Sequence, residues 1–276
     1  MKSIHVITRY LGVKANEGAQ FTTLPSDEAT YRRLMMGTAR VLSKSQKEKE
    51  PYMGWINGIQ YVVMPGVFPP TYFQDTAFFA KEVPKRVQYV ELGGFLEMGC
   101  GTGVVTCEVI KRSMRVPNKK HPIGSSFTVH AADINPIAVR NTRINRLLHD
   151  PEGNCSDVYE SDLFDTLPGN GYNTIFWNIP FGDWGEQGKL DLLHQAVWDP
   201  GYKNLRRFGE QCTSYLGDNG NLLIGFSTTL GKFDVLQEIL KQNRFQPPKI
   251  VAQSGYEREG NPNLPVKFEL LETRLM

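Results

Sequence analysis

The chain has 276 residues, 40% of them apolar, with a formal net charge of +2. That length suits one large α/β domain with a small appendage, or two small domains. The near balance of charge argues against a strongly electrostatic nucleic-acid binder, although a local basic patch stays open. The cysteines Cys100, Cys107, Cys155 and Cys212 are scattered without a CxxC pair. This argues against a disulfide scaffold and a zinc site and fits a reducing cytoplasm. No signal-peptide run opens the sequence and no apolar run reaches about 18 residues, so no membrane span is expected.

In chain order, Ser26 to Glu50 reads as a helix, with Ser26 as cap and Asp27 and Glu28 in the first turn, stopped by Pro51. Trp55-Ile56, an Asn57-Gly58 turn and Ile59 to Met64 predict a β-hairpin. Prolines at 65, 69 and 70 precede a helix near Asp75 to Val83. From about residue 90 strands and helices alternate. Strand Gly94 to Met98 leads through a glycine turn into a helix from Val104 to Arg112. A polar loop, Asn118 to Ser126, precedes strand Phe127 to Ala132. Asn135-Pro136 then opens a helix to Leu148. Strand Thr174 to Trp177 ends at Asn178. A helix over Tyr202 to Leu216 puts Leu205, Phe208, Cys212 and Leu216 on one face, and Gly217 to Gly220 turn into strand Asn221 to Phe226. A helix carrying Phe233, Leu236 and Leu240 follows, then strands near Lys249 to Gln253 and Val266 to Leu271. The expected fold is α/β: a Rossmann-like, doubly wound, mostly parallel sheet with an antiparallel C-terminal edge hairpin. The expected division is a small N-terminal cover region over 1–80, built of a helix and a β-hairpin, and a cofactor-binding domain over 81–276.

Ligands of such sheets sit beyond the carboxyl ends of the strands. The turn Gly99-Cys100-Gly101-Thr102-Gly103 belongs there, its glycines letting the backbone approach a ligand. A nicotinamide fingerprint needs glycine at position 104, where the chain has Val104, so a pyrophosphate site is disfavoured. Asp133 ends the next strand, where a carboxylate can accept both ribose hydroxyls of a nucleoside. Its plain alternative is a capping residue ahead of Pro136. Asp162-Leu163-Phe164 follows the third strand; an acid there can accept an adenine amino group while Leu163 and Phe164 pack on the ring. Three such features at successive strand ends point to a nucleoside site.

These residues resemble the motifs of class I methyltransferases. The resemblance implies S-adenosylmethionine as cofactor, with Glu97, Gly99, Cys100, Gly101, Thr102 and Gly103 near its methionine part. It also implies Asp133 and Ile134 at the ribose, Asp162 and Leu163 at the adenine, and Asn178 beside the methyl group. Asn178-Ile179-Pro180-Phe181 resembles the Asn-Pro-Pro-Tyr motif of enzymes that methylate planar nitrogens. An amide or aromatic amine has a delocalised lone pair and is a poor nucleophile. The Asn178 side-chain oxygen and a main-chain carbonyl, that of Ile179, accept its two N–H bonds and aim the lone pair at the methyl. Phe181 is expected to stack on the planar group. Ile179 replaces the motif's first proline.

Within that group the chain is most similar to HemK-type glutamine-amide methyltransferases, over roughly residues 50–275. Glu50-Pro51, the hairpin, Val63 to Val67, and Asp199-Pro200-Gly201 to Arg206 carry this likeness. Two features depart from it: the stretch Phe68 to Thr76, and a shorter N-terminal part. Both fall where substrate is selected, and Phe73 and Trp184 are the candidate substrate contacts. The segment Gly182 to Trp198, with Asp183, Trp184, Glu186, His194 and Trp198, reads either as a substrate cover or as a solvated connection. The histidines His5, His121, His130, His149 and His194 show no metal-ligand spacing, and no metal is expected. The acceptor expected first is a protein glutamine, then a nucleic-acid amino group, then a small nitrogenous metabolite. A catalytically silent S-adenosylmethionine-binding protein is the alternative from another class.

Overall fold

The computed structural model describes residues 28–90, 93–115, 127–151, 156–169, 171–183, 190–258 and 261–276. The expected cap Ser26, the loop Asn118 to Ser126, Cys155, Trp184, Glu186, His5 and His121 lie outside these residues.

Helix α1 (Glu28–Ser45) turns Leu34, Met35 and Leu42 inward. It stops short of the expected Glu50. Ser45 donates its hydroxyl to the Leu42 carbonyl at 2.7 Å, and i→i+3 bonds from Lys47 and Glu48 tighten the end. Strands β1 (Tyr52–Ile56) and β2 (Ile59–Val63) form the expected hairpin, with Asn57 and Gly58 both at positive φ in the turn. A two-stranded ribbon leaves ladder groups unpaired. Two buried asparagines of a later helix satisfy those of β2. Asn145 accepts from Val62 N and donates to Val62 O, and Asn141 accepts from Met64 N and also donates to Val62 O, all at 2.8 Å. Helix α2 (Asp75–Glu82) follows, across the expected boundary at residue 80. Its Phe78 and Phe79 share one core cluster with α1, the hairpin and Phe95 of the sheet, so the described N-terminal part is a layer on the same core.

Five strands run parallel: β3 (Gly94–Met98), β4 (Thr128–Asp133), β5 (Ser156–Glu160), β6 (Tyr172–Asn178) and β7 (Leu216–Phe226). Strands β8 (Lys249–Arg258) and β9 (Asn261–Thr273) are antiparallel, and β9 lies between β7 and β8. The order is β5-β4-β3-β6-β7-β9-β8, so the chain's progression across the sheet reverses between the parallel neighbours β3 and β6. The helices between strands are α3 (Val104–Ser113), α4 (Pro136–His149), a short α5 (Leu192–Gln195), α6 (Lys203–Tyr215) and α7 (Phe233–Gln242). Burial on both faces explains the apolar strand runs. Along β3, Phe95 enters one core, while Leu96 and Met98 enter the other. On α6, Leu205, Phe208 and Cys212 are buried as their spacing predicts. The expected turn at Gly217 to Gly220 is instead part of β7. The register advances from Tyr172↔Leu216 to Thr174↔Asn221, so these residues bulge out within the strand.

Candidate active site

One cavity opens beyond the carboxyl ends of β3, β4 and β6, at the reversal of strand order. Its lining includes Glu97, Gly99 to Thr102, Asp133, Ile134, Asp162, Leu163, Asn178 and Pro180. Most of the residues singled out in the sequence therefore meet in one place.

The turn after β3 needs its glycines for different reasons. Gly99, Gly101 and Gly103 have φ of 61°, 56° and 75°, in the left-handed region. A Cβ on Gly99 would sit 2.9 Å from Trp177 Nε1, and one on Gly103 would sit 2.6 Å from Thr142 Cγ2. A Cβ on Gly101 would meet nothing within 4 Å. The outer glycines thus permit close packing, and the middle one faces open space. Thr142 Oγ1 donates to Gly101 O at 3.0 Å, and Asn145 Nδ2 donates to Thr102 O at 2.8 Å, so α4 pins the turn.

Two carboxylates flank it. Glu97 is 5% exposed and accepts from the Thr106 main-chain N–H at 2.7 Å and from the Thr106 hydroxyl. Burial pushes its pKa up to about 8, against the opposing Thr106 hydrogen bonds and with help from the nearby Asp133 charge. Asp133 accepts from Gly101 N at 2.8 Å and from Asn135 N at 2.9 Å, one bond on each oxygen. Burial also raises its pKa, opposed by these two N–H groups. A carboxylate oxygen has two lone pairs, so both oxygens keep acceptor capacity. Asn135 accepts from Ile137 N, capping α4, and donates to Gly66 O, tying the proline loop to the site. The capping role considered for Asp133 thus belongs to Asn135. Ile134 is exposed at the cavity wall.

After β5, the Asp162 carboxylate takes Arg207 Nη1 at 3.0 and 3.1 Å in a pair about two-fifths exposed on each side. Arg207 lines the same cavity and was not anticipated. Leu163 holds a positive φ of 53° and lines the cavity. Phe164, expected beside Leu163 on a ligand ring, is instead core: its ring stacks on Tyr215 at 4.5 Å and lies 5.4 Å from Phe208. Phe164 thus belongs to the second core, while Leu163 beside it lines the cavity.

At the end of β6, Asn178 donates Nδ2 to Asp75 Oδ2 at 2.9 Å, and its Oδ1 is buried without a protein partner. Pro180 lines the cavity; Ile179 is buried in the second core and bonds Gly225 O through its N–H at 3.3 Å. Phe181, expected to stack on the acceptor, packs against Phe226 and Phe268, with centroids 6.2 and 6.3 Å away, and is not among the lining residues. Its carbonyl is fixed by the Tyr202 hydroxyl at 2.8 Å. Asp183 is likewise structural, holding Lys232 Nζ at 2.5 Å and Gly201 N at 2.7 Å. Phe73 stacks on Phe68 at 4.7 Å; Phe68, not Phe73, reaches the cavity. Thr76 from the stretch 68–76, and Leu192 and Gln195 from the segment 182–198, also line the cavity, while Phe79 of α2 and Arg207 are lining residues the sequence does not single out. None carries a motif; they arrive from distant elements.

A mostly parallel seven-stranded sheet with a glycine turn at one central strand end and a carboxylate at the next defines a class I S-adenosylmethionine-dependent methyltransferase. The chain belongs to the methyltransferase small domain family, whose model matches residues 58–250. It is 27% identical over 167 residues to the ribosomal RNA small subunit methyltransferase C of Psychromonas ingrahamii, covering 60% of this chain and 39% of that protein. It is 24% identical over 178 residues to the release factor glutamine methyltransferase of Aquifex aeolicus, covering 61% and 57%. The chain thus spans less than two thirds of the length of these relatives. The fold is shared with a T. thermophilus 16S rRNA N2 methyltransferase solved with AdoMet and guanosine (TM-score 0.53, 14% identity, 82% of this chain and 50% of that one). It is also shared with Trm5b of Pyrococcus abyssi (TM-score 0.52, 15% identity, 82% and 56%). Among the described residues no helix is long and apolar enough to cross a membrane.

Proposed function

We propose that the protein transfers a methyl group from S-adenosylmethionine to a planar amide or exocyclic amine nitrogen. The observation that carries this reading is Asn178, which lines the cavity: its Nδ2 is tied to Asp75, and its Oδ1 is buried without a partner. An orphaned buried acceptor is costly unless a ligand donor completes it.

S-adenosylmethionine supplies an electrophilic methyl on a sulfonium sulfur. Glu97 and the glycine turn would hold its methionine part, and Asp133 would use its remaining lone pairs on the ribose hydroxyls. Ile134 and Leu163 would flank the adenine, with Asp162, oriented by Arg207, as its polar contact. Asn178 Oδ1 accepts one N–H of the acceptor, and the main chain of the 178–180 turn is assigned the other. The lone pair is then aimed at the methyl carbon, and these oxygens stabilise the positive charge developing on nitrogen. When bound, the sulfonium would supply the methyl and depart as a thioether, and the methylated nitrogen would give its proton to water, so Asn178 and the main chain need only orient the acceptor and no strong base is required of the chain.

Both acceptor classes present the same planar N–H pair. The likeness to ribosomal RNA small subunit methyltransferases supports a base amino group, and the likeness to a release factor glutamine methyltransferase supports a protein glutamine. Tritiated S-adenosylmethionine incubated with this protein and a lysate, then fractionated into RNA, protein and small molecules, separates them by where label appears. Asn178→Ala should bind cofactor as before and lose transfer. Transfer that survives this change would overturn the planar-nitrogen reading, and absence of label in every fraction would favour a silent cofactor-binding protein.

A further inference from the structure

The Asn178–Asp75 contact joins the motif strand to a helix more than a hundred residues earlier in the chain. Asp75 is the first residue of α2 and is 3% exposed. Its neighbours Thr76 and Phe79 line the cavity, but Asp75 does not. One of its oxygens, Oδ2, accepts from Asn178, and the other, Oδ1, is buried without a partner. Burying a carboxylate with an unused oxygen is expensive, and an apolar residue of similar volume would suit the core better.

A carboxamide has two ends of almost the same shape and opposite polarity. Asp75 Oδ2 accepts, so it holds the N–H₂ end of Asn178 toward itself and the carbonyl end away; burial pushes the Asp75 pKa up, opposed by the Asn178 hydrogen bond and by nearby main-chain N–H groups. The rest of the pocket fits around this orientation. A Cβ at Gly225 would lie 2.7 Å from Asn178 Oδ1 and 2.8 Å from Phe79 Cζ, so the missing side chain at 225 leaves room for the carbonyl end. Turned the other way, Asn178 would offer N–H to an acceptor nitrogen that also offers N–H, and the two would repel.

Resting on the planar-nitrogen reading, we infer that Asp75 is a positioning residue that fixes the Asn178 carboxamide with Oδ1 toward the methyl acceptor. Asp75 does not reach the cavity, so it acts through Asn178 and takes no proton from the substrate itself.

Two measurements test this, one without turnover. In ¹⁵N-labelled protein, the Asn178 side-chain amide, assigned by its loss in Asn178→Ala, should show one proton shifted downfield by the carboxylate. Asp75→Leu should remove that shift. An unchanged amide in Asp75→Leu overturns the inference, whatever the acceptor proves to be. The second measurement is a double-mutant cycle on single-turnover methyl transfer from tritiated S-adenosylmethionine to the RNA or protein fraction that takes label. Asp75→Leu should slow transfer about 10- to 100-fold, the cost of leaving the buried Asn178 N–H₂ without its partner. Cofactor Kd should stay within a few-fold. Asp75→Asn, which can accept from Asn178 Nδ2 but can also turn its own N–H₂ toward it, should recover part of the rate. In the Asn178→Ala background, Asp75→Leu should add nothing. Additive losses, an Asp75→Asn rate as low as that of Asp75→Leu, or a full rate in Asp75→Leu while Asn178→Ala is dead would each overturn it. If Asn178→Ala itself keeps full rate, the planar-nitrogen reading falls, and the orienting role falls with it even where the amide shift behaves as expected.

Discussion

Replacing Asp133 should separate cofactor affinity from folding. Each Asp133 oxygen already holds one main-chain N–H, from Gly101 at 2.8 Å and Asn135 at 2.9 Å, leaving one acceptor position per oxygen for a hydroxyl. Two charge-assisted bonds at about 1.5–3 kcal/mol each give about 3–6 kcal/mol. Asp133→Ala should therefore weaken S-adenosylmethionine about 10²- to 10⁴-fold. Asp133→Asn retains one acceptor oxygen but turns an N–H₂ toward one of the two main-chain donors, so its loss should be intermediate. The folding cost should be smaller than the binding loss, because water in the open cavity can take over the two N–H groups. Titration calorimetry with S-adenosylmethionine and S-adenosylhomocysteine reads the affinity, and thermal unfolding of the free protein reads the fold. A folded Asp133→Ala variant whose Kd moves less than about threefold would refute the ribose assignment.

Three further outcomes follow from the same geometry. Gly101→Ala should fold with only the strain of a left-handed alanine, about 1–2 kcal/mol, and lose cofactor binding; Gly103→Ala, which meets Thr142, should lower the melting temperature much more. Asn145→Leu strips partners from Val62 N and Thr102 O, while Asn141 still serves Val62 O, so urea unfolding should show a loss of about 2–5 kcal/mol from two orphaned groups. Asn141→Leu, which orphans Met64 N alone, should cost about half as much. Glu97 sits at about 8 in the folded protein against 4.5 as a free side chain. The folded state therefore binds the extra proton between these values, and stability falls as pH rises from about 4.5 to 8, by on the order of 2–5 kcal/mol. Glu97→Gln should flatten that part of the profile; an unchanged slope would place the titration elsewhere.

The local grammar of this chain was legible because it depends on near neighbours. The Asn57-Gly58 turn, the Asn135-Pro136 helix start and strand Gly94 to Met98 sit where turn chemistry and apolar runs put them. That the turn after β3, Asp133 and Asn178 meet at one cavity was readable because strand ends in a parallel sheet converge whatever the intervening sequence. Side-chain direction was not readable. Phe164 and Phe181 belong to motifs, yet both rings are drawn into the cores by Tyr215, Phe208, Phe226 and Phe268, because burying an aromatic face gains more than leaving it at a wet cavity. Partners distant in sequence were equally hidden. Arg207 reaches Asp162, Asn145 reaches Val62, and Asp75 reaches Asn178 only after the sheet has stacked its layers. Sequence alone determined that a glycine-rich turn and an amide-bearing strand end exist. Tertiary packing decided which atoms of them face the cavity, since a hydrogen bond needs its partner within about 3 Å and only the fold supplies that closeness.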